Sequence, residues 1–201
     1  MIPALHLASS SPRRQEILRS LGLEFTVMGV EIDESRLDGE SPQEMVLRLA
    51  AEKAAAAVAE DVQLVIGADT VVVLGDRVLG KPCDKDDSIE MLMSLSGRSH
   101  IVLSGVALRS SAGIKTVLTE TTVRFRKIDR DEALAYWQSG EPRDKAGSYA
   151  IQGKGGAFVA AISGSYSGVV GLPVYELVEL LGNAGIEVMT KTIVRACDDS
   201  E

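Results

Sequence analysis

The chain has no excess of positive charge. Its 201 residues carry 21 lysines and arginines against 29 aspartates and glutamates, a formal net charge of −8. A nucleic-acid polymer is therefore not expected as a partner, because proteins that bind one usually present a basic face. Any cationic site must be local. Cysteine is scarce too: Cys83 and Cys197 lie far apart and form no metal-binding or redox motif. That usage suits a reducing compartment, with a single disulfide left open. No apolar run approaches the length needed to cross a bilayer. The opening MIPALHLASSS lacks the basic n-region and long apolar core of a signal peptide, so a cytoplasmic protein without membrane contact is expected. Internal repeats, low-complexity segments and linkers are absent as well. What is present is ordinary for a globular protein, 45% hydrophobic and 25% charged. One domain over residues 1–201 is expected, with ample material for a core and a flexible tail from about residue 190.

The most informative stretch is LVIGADTVVVLGDRVLGKP, residues 64–82. Leu64–Leu74 is a nearly continuous apolar run rich in valine, as in a strand buried on both faces. One carboxylate, Asp69, interrupts it, followed by the hydroxyl of Thr70. A carboxylate in a core strand must be hydrogen-bonded, paired with a cation or bound to a metal, since an isolated buried charge is very costly. Gly75-Asp76 suits a two-residue hairpin turn. Arg77–Leu79 then returns alongside, which lets Asp69 and Lys81 flank one site.

Charges sit in unusual places elsewhere. Ser11 is a good N-cap and Pro12 a good first helical residue, yet Arg13 and Arg14 occupy the first turn, where the helix dipole disfavours cations. With Ser9, Ser10 and free backbone N–H groups nearby, this is either an anion site or a solvated cationic helix start. Glu24–Val30 reads as a strand ending in Glu31-Ile32-Asp33-Glu34, with Glu31 and Asp33 pointing one way and Glu34 the other. These acids could help hold magnesium, although the local sequence favours a solvated acidic loop. Ser41-Pro42-Gln43-Glu44 is a capping box opening a helix that runs to about Glu60. Val46, Leu49, Ala50, Lys53 and Ala57 share one face of it, and a lysine there usually reaches for the rim.

Asp84 caps a further helix that stops at Gly97. Ile101–Arg109 and Ile114–Arg126 form a hairpin, and Arg130–Ser139 a short helix with the single tryptophan, Trp137, used for packing. Residues 141–156, EPRDKAGSYAIQGKGG, are glycine-rich and cationic at Arg143, Lys145 and Lys154. They match neither the Walker phosphate loop nor the dinucleotide fingerprint, so a ligand-approaching loop and a connector both remain open. Ala157–Ser163 and Ser167–Val170 flank a GSYS turn, and Pro173 opens the last helix.

Taken together and in this order, LASSSPRRQEILRSLG, GADTVVVLGDRVLGKP, DKAGSYAIQGKGG and GSYSGVVGLP resemble the Maf family of nucleoside triphosphate pyrophosphatases over nearly the whole chain. The resemblance implies an α/β fold shared with inosine triphosphate pyrophosphatases: a long mixed sheet with flanking helices, and two lobes around a central cleft. It implies hydrolysis of a nucleoside triphosphate between the α and β phosphates to the monophosphate and pyrophosphate, with magnesium or manganese. Carried over by motif, Asp69 is the expected proton acceptor and metal-binding carboxylate, and Glu34 the second essential acid and metal ligand. Lys53 and Lys81 join them in the expected catalytic set, with Ser9, Arg13 and Arg14 binding substrate.

Arg13, Thr70 and Gln152 match the branch acting on dTTP and UTP, whereas the branch resembling 7-methyl-GTP pyrophosphatases carries Trp, Gln and Glu there. A glutamine amide offers one donor side and one acceptor, which pair with O4 and N3–H of uracil or thymine. A homodimer and a role in restraining septum formation are also implied by the resemblance. The rival readings are a pyrophosphatase of 7-methyl-GTP or purine specificity, and a nucleotide-binding regulator of septation that acts through a protein partner.

Overall fold

The computed structural model describes residues 4–57 and 64–188. In chain order the first elements are β1 (Leu5–Leu7), α1 (Pro12–Ser20), β2 (Thr26–Val27), α2 (Pro42–Ala56), β3 (Leu64–Leu74) and β4 (Arg77–Leu79). Then come α3 (Lys85–Leu95), β5 (Ser99–Ser110), β6 (Gly113–Phe125), α4 (Arg130–Gln138), β7 (Val159–Ser163), α5 (Tyr166–Val170) and α6 (Val174–Asn183). The fold class is α/β, with helices flanking one mixed sheet. Its strand order is β2-β1-β3-β5-β6-β7, and β4 pairs separately with β3. β1 runs parallel to β2 and β3, and the remaining pairs are antiparallel.

β3 is the expected buried strand, and its two edges are used differently. One edge pairs with β5 from Val65 to Val73. On the other, β1 covers Leu64–Ile66 and β4 covers Val72–Leu74. Among the described residues no strand pairs with 67–71 on that side, so the sheet has a gap centred on Asp69. The gap exists because β1 is short: after Ala8, whose N–H donates to the Ile66 carbonyl at 2.8 Å, the chain turns away into α1.

α2 crosses β3 and β5 at close range because glycine lies beneath it in both strands. A Cβ at Gly67 would sit 2.1 Å from the Ala50 carbonyl oxygen, and one at Gly105 would sit 2.7 Å from that of Val46. Asp69 and Gly105 are register partners, so the bare glycine leaves room beside the carboxylate. The capping box of α2 forms as expected, with the Ser41 hydroxyl accepting from the Glu44 N–H.

Two expectations are corrected. The strand foreseen over Glu24–Val30 shrinks to Thr26–Val27, because the three-residue β1 offers only His6 and Leu7 for pairing. α2 ends at Ala56 with Ala57 extended, and the rest of the expected run to Glu60 lies outside the described residues. Ser167–Val170, on one side of the expected GSYS turn, is helical, because the Ser165 hydroxyl accepts from the Gly168 N–H and nucleates a turn. Cys197 and the expected tail lie outside the described residues, while Cys83 is a free thiol.

Two large core clusters lie in different parts of the sheet. One joins β1, β3, β5 and α6 through Leu7, Ile66, Val106 and Leu177. The other gathers aromatics between α3, α4 and the far strands: Phe125, Tyr136, Tyr149 and Phe158. His100 is buried in this second cluster, edge-on to Phe125 and Tyr149, with Nε2 2.8 Å from the Tyr149 hydroxyl. Burial pulls its pKa from 6.5 down to about 4. The unfolded chain therefore binds a proton that the folded chain refuses between about pH 6.5 and about pH 4. Stability conferred by neutral His100 is complete above that window and declines as pH falls through it, by about 3 kcal/mol in total. Urea unfolding at pH 7, 6 and 5 should show this decline, and His100→Gln should flatten it. An identical slope in the variant would remove His100 as the cause.

Candidate active site

The gap beside β3 opens into a cavity of about 540 Å³, within the usual range for ligand sites. Every residue carried over by the family resemblance lines it: Ser9, Arg13, Arg14, Glu34, Lys53, Asp69, Thr70, Lys81 and Gln152. The segment before α1, the loop holding Glu34, α2, the β3–β4 hairpin and the loop after α4 thus converge on one space.

At its floor lies Asp69, only 7% exposed. Its Oδ1 accepts a hydrogen bond from Lys53 Nζ at 2.7 Å. The same ammonium lies 2.6 Å from Glu34 Oε1. So Lys53 does not snorkel to the rim; it runs under α2, 8% exposed, and ends between two carboxylates. This answers what compensates the buried aspartate. One ammonium leaves the trio with a surplus negative charge. Glu34 is half-exposed; its partial burial pushes the carboxyl up, but Lys53, then Lys81 and Arg14, more than offset that and hold it below the ordinary carboxylate range. It is ionised at neutral pH.

Glu34 comes from a loop, so something else must position it. Arg48 on α2 grips Glu40 with one edge of its guanidinium, Nε to Oε1 at 2.6 Å and Nη2 to Oε2 at 2.9 Å. Its Nη2 also donates to the Ser35 carbonyl at 3.0 Å, which ties the residue next to Glu34 down onto α2. The alternation expected for Glu31, Asp33 and Glu34 fails because this segment is not a strand. Asp33 instead accepts from the Ser35 N–H at 2.9 Å and Glu31 is exposed, so only Glu34 of the three reaches the cavity.

Ser11 and Pro12 take the N-cap and first helical positions of α1, but the Ser11 hydroxyl makes no capping bond. Ser9 carries the polar role. Its Oγ accepts from the Ser11 N–H at 3.3 Å and from Arg14 Nη1 at 3.1 Å. Arg14 Nε donates to the Gly171 carbonyl at 2.8 Å, so its fork is held from two sides. Burial lowers the Arg14 pKa while Asp69 counters it, and the guanidinium stays charged. Arg13 reaches Asp144 at 3.4 Å.

Sequence reasoning set Lys145 aside with the glycine-rich loop, yet Lys145 lines the cavity and pairs with Asp144. The DKAG run was the available signal. That loop is docked on the hairpin by the Gly147 N–H, which donates to the Gly80 carbonyl at 3.0 Å. The Glu141 carboxylate, with no obvious sequence signal, holds the turn bearing Gln152. It accepts from Tyr136 Oη at 2.7 Å and from the Lys154 and Gly155 N–H groups at 3.0 and 3.1 Å. Gln152 itself is exposed, and its amide makes no hydrogen bond to the described residues.

Five cations (Arg13, Arg14, Lys53, Lys81 and Lys145) face three carboxylates (Glu34, Asp69 and Asp144) around the cavity. A protein of net charge −8 thus keeps a local positive excess at this one place. A polyanion fits it, with a carboxylate at the floor able to accept a proton.

Residues 4–184 match the family described as Maf-like protein. The chain is 50% identical over 183 residues to the dTTP/UTP pyrophosphatase of Pseudoalteromonas translucida, covering 90% of this chain and 97% of that protein. It is 49% identical over 189 residues to the dTTP/UTP pyrophosphatase of Hahella chejuensis, covering 92% and 94%. Among solved structures, the Staphylococcus aureus Ham1 protein aligns with a TM-score of 0.42 at 14% identity, over 61% of this chain and 71% of that one. With the family match running from residue 4 to residue 184 and half of all positions identical to a relative across nine tenths of its length, this chain belongs to the Maf-like protein family.

Proposed function

We propose that this protein is a nucleoside triphosphate pyrophosphatase acting on dTTP and UTP, releasing the monophosphate and pyrophosphate. The observation that carries the reading is the Lys53-bridged pair of Asp69 and Glu34 at the floor of a cation-lined cavity. The names of the relatives at about half identity support the same reaction. In this reading Arg13, Arg14, Lys81 and Lys145 hold the triphosphate, with Ser9 orienting Arg14. Asp69 takes a proton from the water whose oxygen attacks the α-phosphorus. As that bond forms, the bond from the α-phosphorus to the bridging oxygen breaks, and pyrophosphate leaves with the electron pair. The cations stabilise its growing charge. Lys53, hydrogen-bonded to Asp69 Oδ1, orients the carboxylate before attack.

A divalent ion fits the residues present. Asp69 and Glu34 each commit one oxygen to Lys53 and retain a second that accepts no hydrogen bond from the described residues. No group of three potential ligands occurs among the described residues, but magnesium is typically held by one or two carboxylates completed by substrate phosphates. Asp69 and Glu34 would hold magnesium or manganese, which would supply Lewis-acid polarisation of the α-phosphoryl group.

Of Arg13, Thr70 and Gln152, the three residues that match the dTTP/UTP branch, Gln152 is the one that reads the base. The unengaged Gln152 amide can donate to O4 and accept from N3–H of uracil or thymine. A cytoplasmic location and a homodimeric state belong to the same proposal and rest on family membership; no helix among the described residues is long and apolar enough to cross a membrane.

Pyrophosphate release should be measured for dTTP, UTP, 7-methyl-GTP and inosine triphosphate, with magnesium and with chelator. The pyrimidine nucleotides should lead, chelation should abolish turnover, and Asp69→Asn should lower kcat about 10²- to 10⁴-fold. A purine preference would sink the Gln152 argument, and turnover surviving both chelation and Asp69→Asn would refute the mechanism. The ion pair has a separate readout in stability. Lys53→Met strands a buried carboxylate and should cost about 3 kcal/mol in urea unfolding. Lys53→Met/Asp69→Asn should recover most of that loss, and strict additivity of the two changes would show that the pair is not coupled.

A further inference from the structure

Behind Thr70 lies a buried polar chain that the reaction as described does not use. Thr70 and Ser104 are register partners across β3 and β5, so their side chains stand together on the face opposite Asp69 and α2. Ser104 is 1% exposed and does not line the cavity. Its Oγ donates to the Gly168 carbonyl of α5 at 2.6 Å, and Thr70 Oγ1 lies 3.1 Å from the same Oγ.

Counting protons decides the direction of this chain. A hydroxyl has one hydrogen to donate. A carbonyl can only accept, so the Ser104 hydrogen goes to Gly168. The contact between the two hydroxyls must then be made by the Thr70 hydrogen, leaving Thr70 Oγ1 with lone pairs alone for anything in the cavity. The oxygen lies on the ligand side of the strand, because a Cβ at cavity-lining Gly171 would come within 3.9 Å of it and 3.7 Å of Arg14 Nε.

We propose that Ser104 is a positioning residue that fixes Thr70 as a pure hydrogen-bond acceptor, so that the site selects a nucleotide presenting a donor hydrogen there. The inference rests on the dTTP/UTP reading above and assigns it a polarity. dTTP carries two such donors, N3–H and the sugar 3′-hydroxyl; UTP adds a 2′-hydroxyl, so the 3′-hydroxyl is the sugar donor common to both. The Gln152 amide already answers O4 and N3–H, which leaves the 3′-hydroxyl for Thr70. Cytosine, whose N3 is an acceptor, is turned away if Thr70 meets the base instead. Without Ser104 the Thr70 hydroxyl is free to rotate and donate, and this discrimination fades.

The test compares kcat/KM for dTTP, 3′-deoxythymidine triphosphate, UTP and CTP in wild type, Ser104→Ala and Thr70→Val, with melting curves to verify folding. In Ser104→Ala the ratio of dTTP to its 3′-deoxy analogue should fall about five- to ten-fold, the worth of one neutral hydrogen bond. The UTP to CTP ratio should stay constant. A fall in UTP to CTP instead also supports the acceptor chain and names N3–H as the donor. If Ser104→Ala slows all four substrates by one common factor, Ser104 is only structural and the proposal is overturned. If Thr70→Val moves a ratio but Ser104→Ala moves none, the proton chain fails while Thr70 remains a substrate contact. Should wild type hydrolyse neither dTTP nor UTP, the parent reading fails, a result separate from either variant.

Discussion

An ammonium from the packed face of α2 meets a carboxylate in the middle of β3 at 2.7 Å, and much of the molecule is arranged so that it can. Neither group could be buried alone, because removing a single charge from water costs far more than a small domain's net stability. Their meeting requires α2 to lie almost on the sheet. Glycine at positions 67 and 105 allows this, since a methyl group at either would enter the helix backbone. Arg48 then uses the same helix to bring the Glu34 loop to the same ammonium. α2 is thus both a wall of the core and the frame of the site.

The gap in the sheet gives that ion pair access to ligand. Had β1 continued alongside β3, Asp69 and Thr70 would face another strand. Instead the chain leaves at Ala8 into a serine-rich turn and an arginine-bearing helix start, and the interrupted edge becomes the cavity floor. Placing two arginines where the helix dipole disfavours them is locally unfavourable by a few tenths of a kcal/mol each, about. Gly171, Ser9 and Asp144 accept their hydrogen bonds, and a polyanionic ligand would add to that compensation.

The chain could be read far on its own. Periodicity and capping gave β3, the β3–β4 turn, the start of α2 and the whole of α3 nearly to the residue, because each has a local cause: a continuous valine-rich run, Gly75-Asp76, a capping box, or Asp84 ahead of an apolar stripe. Where local causes were weak, reading failed. Glu24–Val30 has strand character but too short a partner. Lys145 could be seen as a cation but not as a cavity residue, since its loop is brought to the hairpin by tertiary contacts, the backbone bond from Gly147 to Gly80 and the packing of Gly147 on Val72.

Sequence by itself determined that Asp69 needed a partner, that the cations had to act locally in an acidic chain, and which motifs travel together. Those conclusions follow from desolvation, charge balance and residue order, which need no coordinates. Tertiary structure alone decided that the partner is Lys53, that Glu34 shares it, and that Ser104 stands behind Thr70. Sixteen residues separate Lys53 from Asp69 and thirty-four separate Thr70 from Ser104. Contacts across such spans are set by how a helix docks and how strands register, and no local pattern of residues encodes them.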